Sequence, residues 1–570
     1  MTTTVQEFRQ PGLTGYAERI LAFATASHTR AAAVLLVVAL LSFLPGFFQI
    51  PETDRDESRF AQATKQMLES GDFIDIRFQN EVRYKKPVGI YWLQAAAVRA
   101  GEAVGVPQAR TKIWLYRIPS LIGAIGAVLL TYWVAIAVLS TRGAMLAGLM
   151  MAGSVLLAVE ARIAKTDAAL LLTVVATYGA LIRAYLRHPD DPQDEIVMPA
   201  VFWTALAAGF LLKGPLILMF VGLTLAVLYY TDRTLAWTKR LRPLFGAPWF
   251  LLLVLPWFIA IFSRAGEAFL AESVGHDMLS KVFSGQESHG APPGYYFLLF
   301  WLTFWPGAPL ALLAARGVWR LRAEPSVRFL LAWLVPSWLV FELVITKLPH
   351  YVLPLYPAIA ILTAVAIERS ALSNSRRMRW MTLTWPFLTT VAPVLGVLGL
   401  IWFSSRAAFV AIPVAVVAGM LGFLAWRVYE RHTADHTVVL CSAAAIALYV
   451  TAFGFVLPSL RVGFPTPAIA RAVTAAQCGD AGVAAAGYHE PSLVFRVGTG
   501  VRLTDGSGVA DFMRDGDCRI GIVERRQERA FLRRAEALGL RYSSVRRIEA
   551  FTVNGGRNIS VGVYRSGGGP

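Results

Sequence analysis

Charge is scarce in this chain. Asp, Glu, Lys and Arg make up 16% of its 570 residues, against 56% hydrophobic. That is too little polar surface to cover a soluble molecule of this length. Apolar runs of about 20 residues recur instead, each able to cross a hydrocarbon core of about 30 Å as a helix. Acid is scarcer than base, and the formal net charge is +17. No Lys/Arg run interleaved with aromatics accompanies that excess, so nucleic acid is not an expected partner; loops held in the cytoplasm account for it. Cysteine is rarer still, at three residues. Cys441 lies in an apolar run and reads as packing, while Cys478 and Cys518 share the final polar segment, where they either pair or stay free. No repeat of solenoid period occurs. The first apolar run begins too late, and ends too bulkily, for a cleaved signal peptide, and is expected to remain as an anchor.

What is present is an all-α polytopic pattern. After a segment 1–30, in which Leu13–Ala26 reads as an amphipathic helix on the inner surface, about thirteen transmembrane helices are expected. They fall at 31–50, 114–139, 142–159, 168–187, 199–212, 214–231, 246–264, 295–315, 327–345, 351–368, 380–403, 408–426 and 437–459. Basic residues gather in alternate loops: Arg233 to Arg242, Arg316 to Arg328, Arg369 to Arg379, and Arg427 with Arg431. With the amino terminus inside, all four are cytoplasmic. The acidic loop His188–Val197 departs from the rule, in which acids count little. The transmembrane unit then spans 31–460, with outer loops at 51–113 and 265–294. The tail at 465–566 alternates β-like runs (Val483–Ala486, Arg519–Val523, Ile559–Tyr564) with helical patterns (Val509–Arg514, Gln527–Leu538) and reads as a small α/β domain on the outer side.

The stretch Pro51–Arg99 is too polar and too long for a turn between membrane helices. Asp54, Asp56 and Glu57 cluster beyond the first span. Phe60, Ala63, Thr64, Met67 and Leu68 then share one helix face, and Gly71 reads as the stop. Two readings fit Asp56: a carboxylate at a helix amino terminus, or a functional acid among close like charges that need a compensating ligand. Lys85 and Lys86 precede Pro87, a first-turn proline, and Tyr91-Trp92, an interfacial pair. The lysines either snorkel to headgroups or hold a phosphate. Further outer loops carry Glu160, Arg162, Lys165 and Asp167; Lys213; His276 and His289 among other charges; and Lys347 with His350. Ionisable residues repeated at membrane depth on one side mark a functional cavity. Cations converging with a few carboxylates suit a lipid-linked phosphate plus a sugar.

The ordered motifs carry a resemblance. Asp56-Glu57-x-Arg59-Phe60-Ala61, Met67-Leu68-x-Ser70-Gly71-Asp72 and Lys86-Pro87 with Tyr91-Trp92 resemble the first periplasmic loop of the GT-C membrane glycosyltransferases. The nearest branch is the lipid A aminoarabinose transferases, distantly related to protein O-mannosyltransferases. Asp167 at a span start, Gly209-Phe210-Leu211-Leu212-Lys213-Gly214, His276 and His289 before Pro292 and Tyr295-Tyr296, Lys347-Leu348-Pro349-x-Tyr351-x-Leu353-Pro354, and Tyr488-x-Glu490-Pro491-Ser492-Leu493-Val494-Phe495 continue it to about residue 500.

The resemblance implies a multi-pass enzyme of the bacterial inner membrane with a cytoplasmic amino terminus. Its active site and C-terminal domain would be periplasmic. It would transfer a sugar, with inversion, from a polyprenyl (undecaprenyl-type) phosphate to a lipid A-like or other envelope acceptor. Asp56 and Asp167 would be the catalytic carboxylates. Glu57, Arg59, Lys85, Lys86, Tyr91, Arg162, Lys213, His276, His289, Lys347 and Tyr351 would bind substrate. Where the aminoarabinose transferases place a Glu before the Lys-Pro, a candidate metal ligand together with a later-loop His, this chain has Lys85. A lysine does not replace a carboxylate at a hard cation, so no metal site is assigned and no cofactor is required, a divalent metal being kept as the alternative. Lys85 also makes a better neighbour for an acidic sugar such as a uronic acid than for a cationic one. The alternatives are a transporter or flippase of a lipid-linked sugar, which would show paired halves with broken helices at mid-membrane, and an envelope assembly protein.

Overall fold

The computed structural model describes residues 13–187, 196–270, 290–402, 405–431, 433–476, 482–552 and 556–567. Helices dominate it. The first eleven are α1 Leu13–Thr25, α2 His28–Phe43, α3 Asp56–Ser70, α4 Gly89–Ala103, α5 Ile113–Ala135, α6 Thr141–Gly153, α7 Val155–Glu160, α8 Asp167–Leu186, α9 Val197–Lys213, α10 Leu216–Asp232 and α11 Pro243–Leu270. Later apolar helices cover Tyr295–Thr303, Ala308–Arg320, Pro325–Leu343, Tyr356–Glu368, Thr384–Trp402, Ala407–Arg431 and Ala434–Tyr449.

Among the described residues, eight helices are long and apolar enough to cross a membrane, and α2, α9 and α10 are shorter apolar helices. Two expected spans are interrupted. The run at 142–159 breaks at Ser154, whose hydroxyl donates to the Thr303 carbonyl (3.0 Å). The run at 295–315 breaks around Pro306, where a helical N–H is missing. Many large apolar side chains face outward, among them Leu251, Leu252, Leu395, Leu398 and Phe409. Such a girdle is stable only against lipid.

The two most enclosed of those eight spans are α8 and the helix entered through Pro349–Leu355, with 72% and 83% of their apolar windows buried. Each begins with residues of the charged cluster described below. Gly123 lets α5 approach the start of α8: a Cβ there would stand 2.6 Å from the Ala168 backbone.

The first large loop folds as expected. α3 ends at Gly71, which adopts φ 74° and returns its N–H to the Met67 carbonyl. A two-stranded ribbon (β1 Arg77–Phe78, β2 Glu81–Val82) leads to α4. The tail forms a five-stranded mixed sheet ordered β4-β3-β5-β7-β6, from β3 Val483–Ala486, β4 Arg502–Thr504, β5 Ile520–Glu524, β6 Tyr542–Thr552 and β7 Arg557–Ser566. β3 runs parallel to β4 and β5, and β7 runs antiparallel to β5 and β6. Helices Gly506–Arg514 and Arg525–Ala537 lie where helical periodicity placed them. Cys441 is free and buried, Cys518 is disulfide-bonded, and Cys478 lies outside the described residues.

Candidate active site

The first loop is anchored from beneath. Glu57, fully buried, accepts from Arg117 Nε (2.7 Å) and Nη2 (3.0 Å), from the Thr53 N–H (2.7 Å) and from the Ala164 N–H (3.0 Å). Arg117 spends its remaining donors on the Ile50 (2.7 Å) and Pro51 (2.9 Å) carbonyls. Burial alone would raise the Glu57 carboxyl, but the Arg117 guanidinium and the backbone N–H groups hold it below the usual range. One carboxylate thus ties the end of the first span, α3, α5 and the loop between α7 and α8 together. Its neighbour Asp56, the first residue of α3, is exposed and lies within electrostatic reach of Lys165 in that second loop.

The second loop supplies the cluster's centre. Asp167, first residue of α8, accepts from Lys213 Nζ at the end of α9. Lys165 Nζ stands 3.6 Å from Glu160 and 4.0 Å from Asp167. Burial would lower the Lys165 ammonium, but Glu160, Asp167, Asp56 and Glu57 around it hold it above its ordinary value. The His350 ring lies between the two carboxylates, 3.7 Å from Glu160 and 3.8 Å from Asp167. Lys86 acts electrostatically on His350, and its Nζ donates to the Lys85 carbonyl (2.9 Å). Tyr351 presents its ring 5.4 Å from Lys213 Nζ. Asp56, Lys86, Asp167, Lys213 and Tyr351 are therefore gathered around one charged centre. Tyr91 packs beneath α3 against Phe60, with ring centroids 5.5 Å apart. Arg59 and Lys85 are half-buried, and among the described residues their side chains make no hydrogen bond or ion pair. His276 and His289 lie outside the described residues.

Three expected ligands have other work. Glu57 is the anchor just described, with no free edge for substrate. Arg162 is buried. It donates to the Pro45 carbonyl (2.8 Å) and to those of Ala158 and Ser42, and its guanidinium lies 4.2 Å from the Phe453 ring centroid. Lys347 donates to the Val344 (2.6 Å), Glu342 (2.8 Å) and Phe341 (3.3 Å) carbonyls. It thereby caps the helix Pro325–Leu343, whose last carbonyls have no helical partner. Glu160, Lys165 and His350 take their place in the site. Their signal was visible, since all three sit in short charged loops between apolar runs.

Among the described residues, Glu160, Asp167 and His350 offer ligand atoms within 4.8 Å of one another. The ammonium of Lys85 offers a cation no lone pair.

The C-terminal domain reaches the same loop. Arg496 makes a bidentate pair with Glu52 (2.7 and 2.7 Å), and Lys65 of α3 donates to the Phe495 carbonyl (2.9 Å). Gln62 donates to Thr499 (2.8 Å), and Gln79 to the Val501 carbonyl (2.7 Å). Asp54 is bonded to Ser492; burial, with Glu490 and Glu52 close by, pushes its carboxyl up to about 7.

Residues 26–267 match the family model described as dolichyl-phosphate-mannose-protein mannosyltransferase. Over 406 residues the chain is 26% identical to undecaprenyl phosphate-alpha-4-amino-4-deoxy-L-arabinose arabinosyl transferase 1 of Pseudomonas fluorescens, covering 69% of this chain and 70% of that protein. The corresponding transferase of Pseudomonas paraeruginosa is 28% identical over 331 residues, 57% of either chain. The crystal structure of ArnT from Cupriavidus metallidurans bound to undecaprenyl phosphate superposes with a TM-score of 0.74 at 18% identity, covering 94% of this chain and 97% of that one. The fold is that of the GT-C membrane proteins. Within that class, the chain resembles the lipid A aminoarabinose transferases and the protein mannosyltransferases.

Proposed function

We propose that the chain is an inverting membrane glycosyltransferase that moves a sugar from a polyprenyl phosphate to a lipid acceptor of the cell envelope. The observation that carries this reading is the convergence of Lys165 and Lys213 on Asp167 and Glu160, with Lys86 acting on His350 between those carboxylates and Asp56 within reach of Lys165. The named activities of the relatives support it. The amino terminus is cytoplasmic, and the charged cluster and C-terminal domain face the periplasm; the distribution of Arg and Lys among the loops supports that orientation.

The acceptor attacks the anomeric carbon as the bond to the donor phosphate breaks. Lys86, Lys165 and Lys213 stabilise the charge gathering on the departing phosphate, in a site where burial strengthens every such contact. Before the donor arrives, Lys165 and Lys213 neutralise Glu160 and Asp167; the phosphate takes over part of that pairing. Asp56 receives the proton of a hydroxyl acceptor, or stabilises positive charge on the sugar ring if the acceptor is itself a phosphate. Lys85, which has no partner among the described residues, lies beside this chemistry and favours an acidic sugar over aminoarabinose.

The test is transfer by the purified full-length chain in detergent, given undecaprenyl-phosphate-linked uronic acid or aminoarabinose and lipid A. Product with the wild type, and none with a normally inserted Asp56→Asn variant, is expected. Undiminished transfer by Asp56→Asn would refute the assignment. Preference for aminoarabinose unaltered by Lys85→Glu would remove the acidic-sugar reading.

A further inference from the structure

Glu160, Asp167 and His350 come from three segments: the end of α7, the start of α8 and the 3₁₀ turn Pro349–Leu355. Their meeting leaves two deficits. Among the described residues, Glu160 Oε2 is buried without a hydrogen-bond partner, on a side chain only 5% exposed. The His350 ring has a carboxylate oxygen off each nitrogen, yet at 3.7 and 3.8 Å neither contact is a hydrogen bond. A buried acceptor left unmet costs about 1–3 kcal/mol, so such a set persists where something else completes it. The separations suit a shared cation. Two ligands of one tetrahedral ion, each bonded at about 2.0–2.2 Å, stand about 3.3–3.6 Å apart. All three donor atoms already lie within 4.8 Å of one another.

Two lysines decide when a cation could enter. Lys213 holds Asp167, and Lys165 stands 3.6 Å from Glu160, so the carboxylates are already charge-balanced in the ligand-free protein. A dication added alone would leave two surplus positive charges in a buried site. A donor phosphate supplies the missing negative charge and draws both lysines toward itself, freeing the carboxylates.

We propose that Glu160, Asp167 and His350 form a divalent-cation site that fills together with the donor phosphate, the three side chains supplying one nitrogen and two oxygen ligands. The set suits zinc or manganese, which accept imidazole and carboxylate together. It is distinct from a site built on residue 85 and a later-loop histidine. The proposal rests on the reading of this cluster as the donor-phosphate site, but its test does not depend on transfer.

The experiment titrates chelator-stripped full-length protein in detergent with Mn²⁺, followed by electron paramagnetic resonance, with and without undecaprenyl phosphate. One Mn²⁺ per chain is expected with the lipid, bound at least about tenfold more weakly without it. Glu160→Gln and His350→Ala should each weaken binding by about tenfold or more. Nitrogen hyperfine coupling on the bound Mn²⁺ of the wild-type protein reports His350 without reliance on any variant's folding, and is expected to disappear in His350→Gln. The absence of a saturable site in the presence of the lipid, or binding insensitive to Glu160 and His350, would each overturn the proposal. Manganese bound by a protein that transfers no sugar would sink the enzymatic reading and leave the cation site standing.

Discussion

Arg117 and Glu57 form a bidentate ion pair in which neither side chain is exposed to solvent. An arginine inside an apolar helix is costly unless every donor finds an acceptor, and here the Glu57 carboxylate and the carbonyls of Ile50 and Pro51 provide them. The pair fixes α3 against α5, so that Asp56 emerges beside Lys165.

Removing one member strands the other. Arg117→Met is expected to destabilise the protein by about 3–5 kcal/mol, the range for a broken buried pair. Glu57→Gln, which keeps the shape and an acceptor oxygen, should cost less. Thermal unfolding in detergent micelles would measure both, and a melting temperature unchanged in Arg117→Met would contradict the anchoring role.

Lys213 and Lys347 both follow apolar helices, yet they should behave differently. Lys213→Met removes the partner of Asp167 and a phosphate-stabilising charge, and should lower kcat/KM by about a hundredfold or more. Lys347→Met uncaps the helix Pro325–Leu343 and should lower stability by about 1–3 kcal/mol with the donor KM preserved. Steady-state kinetics with matched unfolding curves would separate the two. A donor KM raised as strongly by Lys347→Met as by Lys213→Met would restore Lys347 as a ligand.

Asp54 gives the contact between the first loop and the C-terminal domain a pH dependence. Its folded-state value, about 7, lies above the ordinary 3.8. Its contribution to stability is therefore fully present below about pH 4 and is lost as the pH rises through about 7. Asp54→Asn keeps the neutral form at every pH. It should melt like wild type at pH 4 and higher than wild type at pH 8. Equal melting temperatures at pH 8 would show that the carboxyl titrates normally.

Arg496 acts on Asp56 only through Glu52 and the loop between them, which makes it a positioning residue. Arg496→Ala should lower kcat by about ten- to a hundredfold, the scale of a small misplacement, with a smaller change in donor KM. Arg496→Lys, unable to form the bidentate pair, should recover only part of the loss. A fall in thermal stability with kcat intact would reduce the contact to packing.

Much of this site was legible from residues alone. Gly71 announced the end of α3, and Lys213 and Asp167 stood out as charges opening or closing apolar runs. What the sequence did not disclose was which charges were already satisfied. Arg162 and Lys347 look like Lys213 in one dimension, each a cation at a membrane edge. Only three-dimensional packing shows their donors taken by carbonyls at helix ends and breaks. Arg117 was hidden inside the run at 114–139, where a single charge scarcely alters an apolar pattern. His350 stood within a recognised motif but gained meaning only when the turn at Pro349 brought it to Glu160 and Asp167. In the tail, strand Tyr542–Thr552 escaped notice because Arg546, Arg547 and Glu549 interrupt its alternation.

The grip of the C-terminal domain on α3 also governs biogenesis. Lys65 and Phe495 are 430 residues apart in sequence, and Glu52 and Arg496 are 444 apart. The loop that carries Asp56 is made well before its partners in the C-terminal domain. Contacts of such separation form late in folding. A ribosome-bound or truncated chain lacking residues beyond about 490 would hold every charge of the central cluster and still leave Asp56 unplaced. Placement of the loop is thereby tied to synthesis of the C-terminal domain.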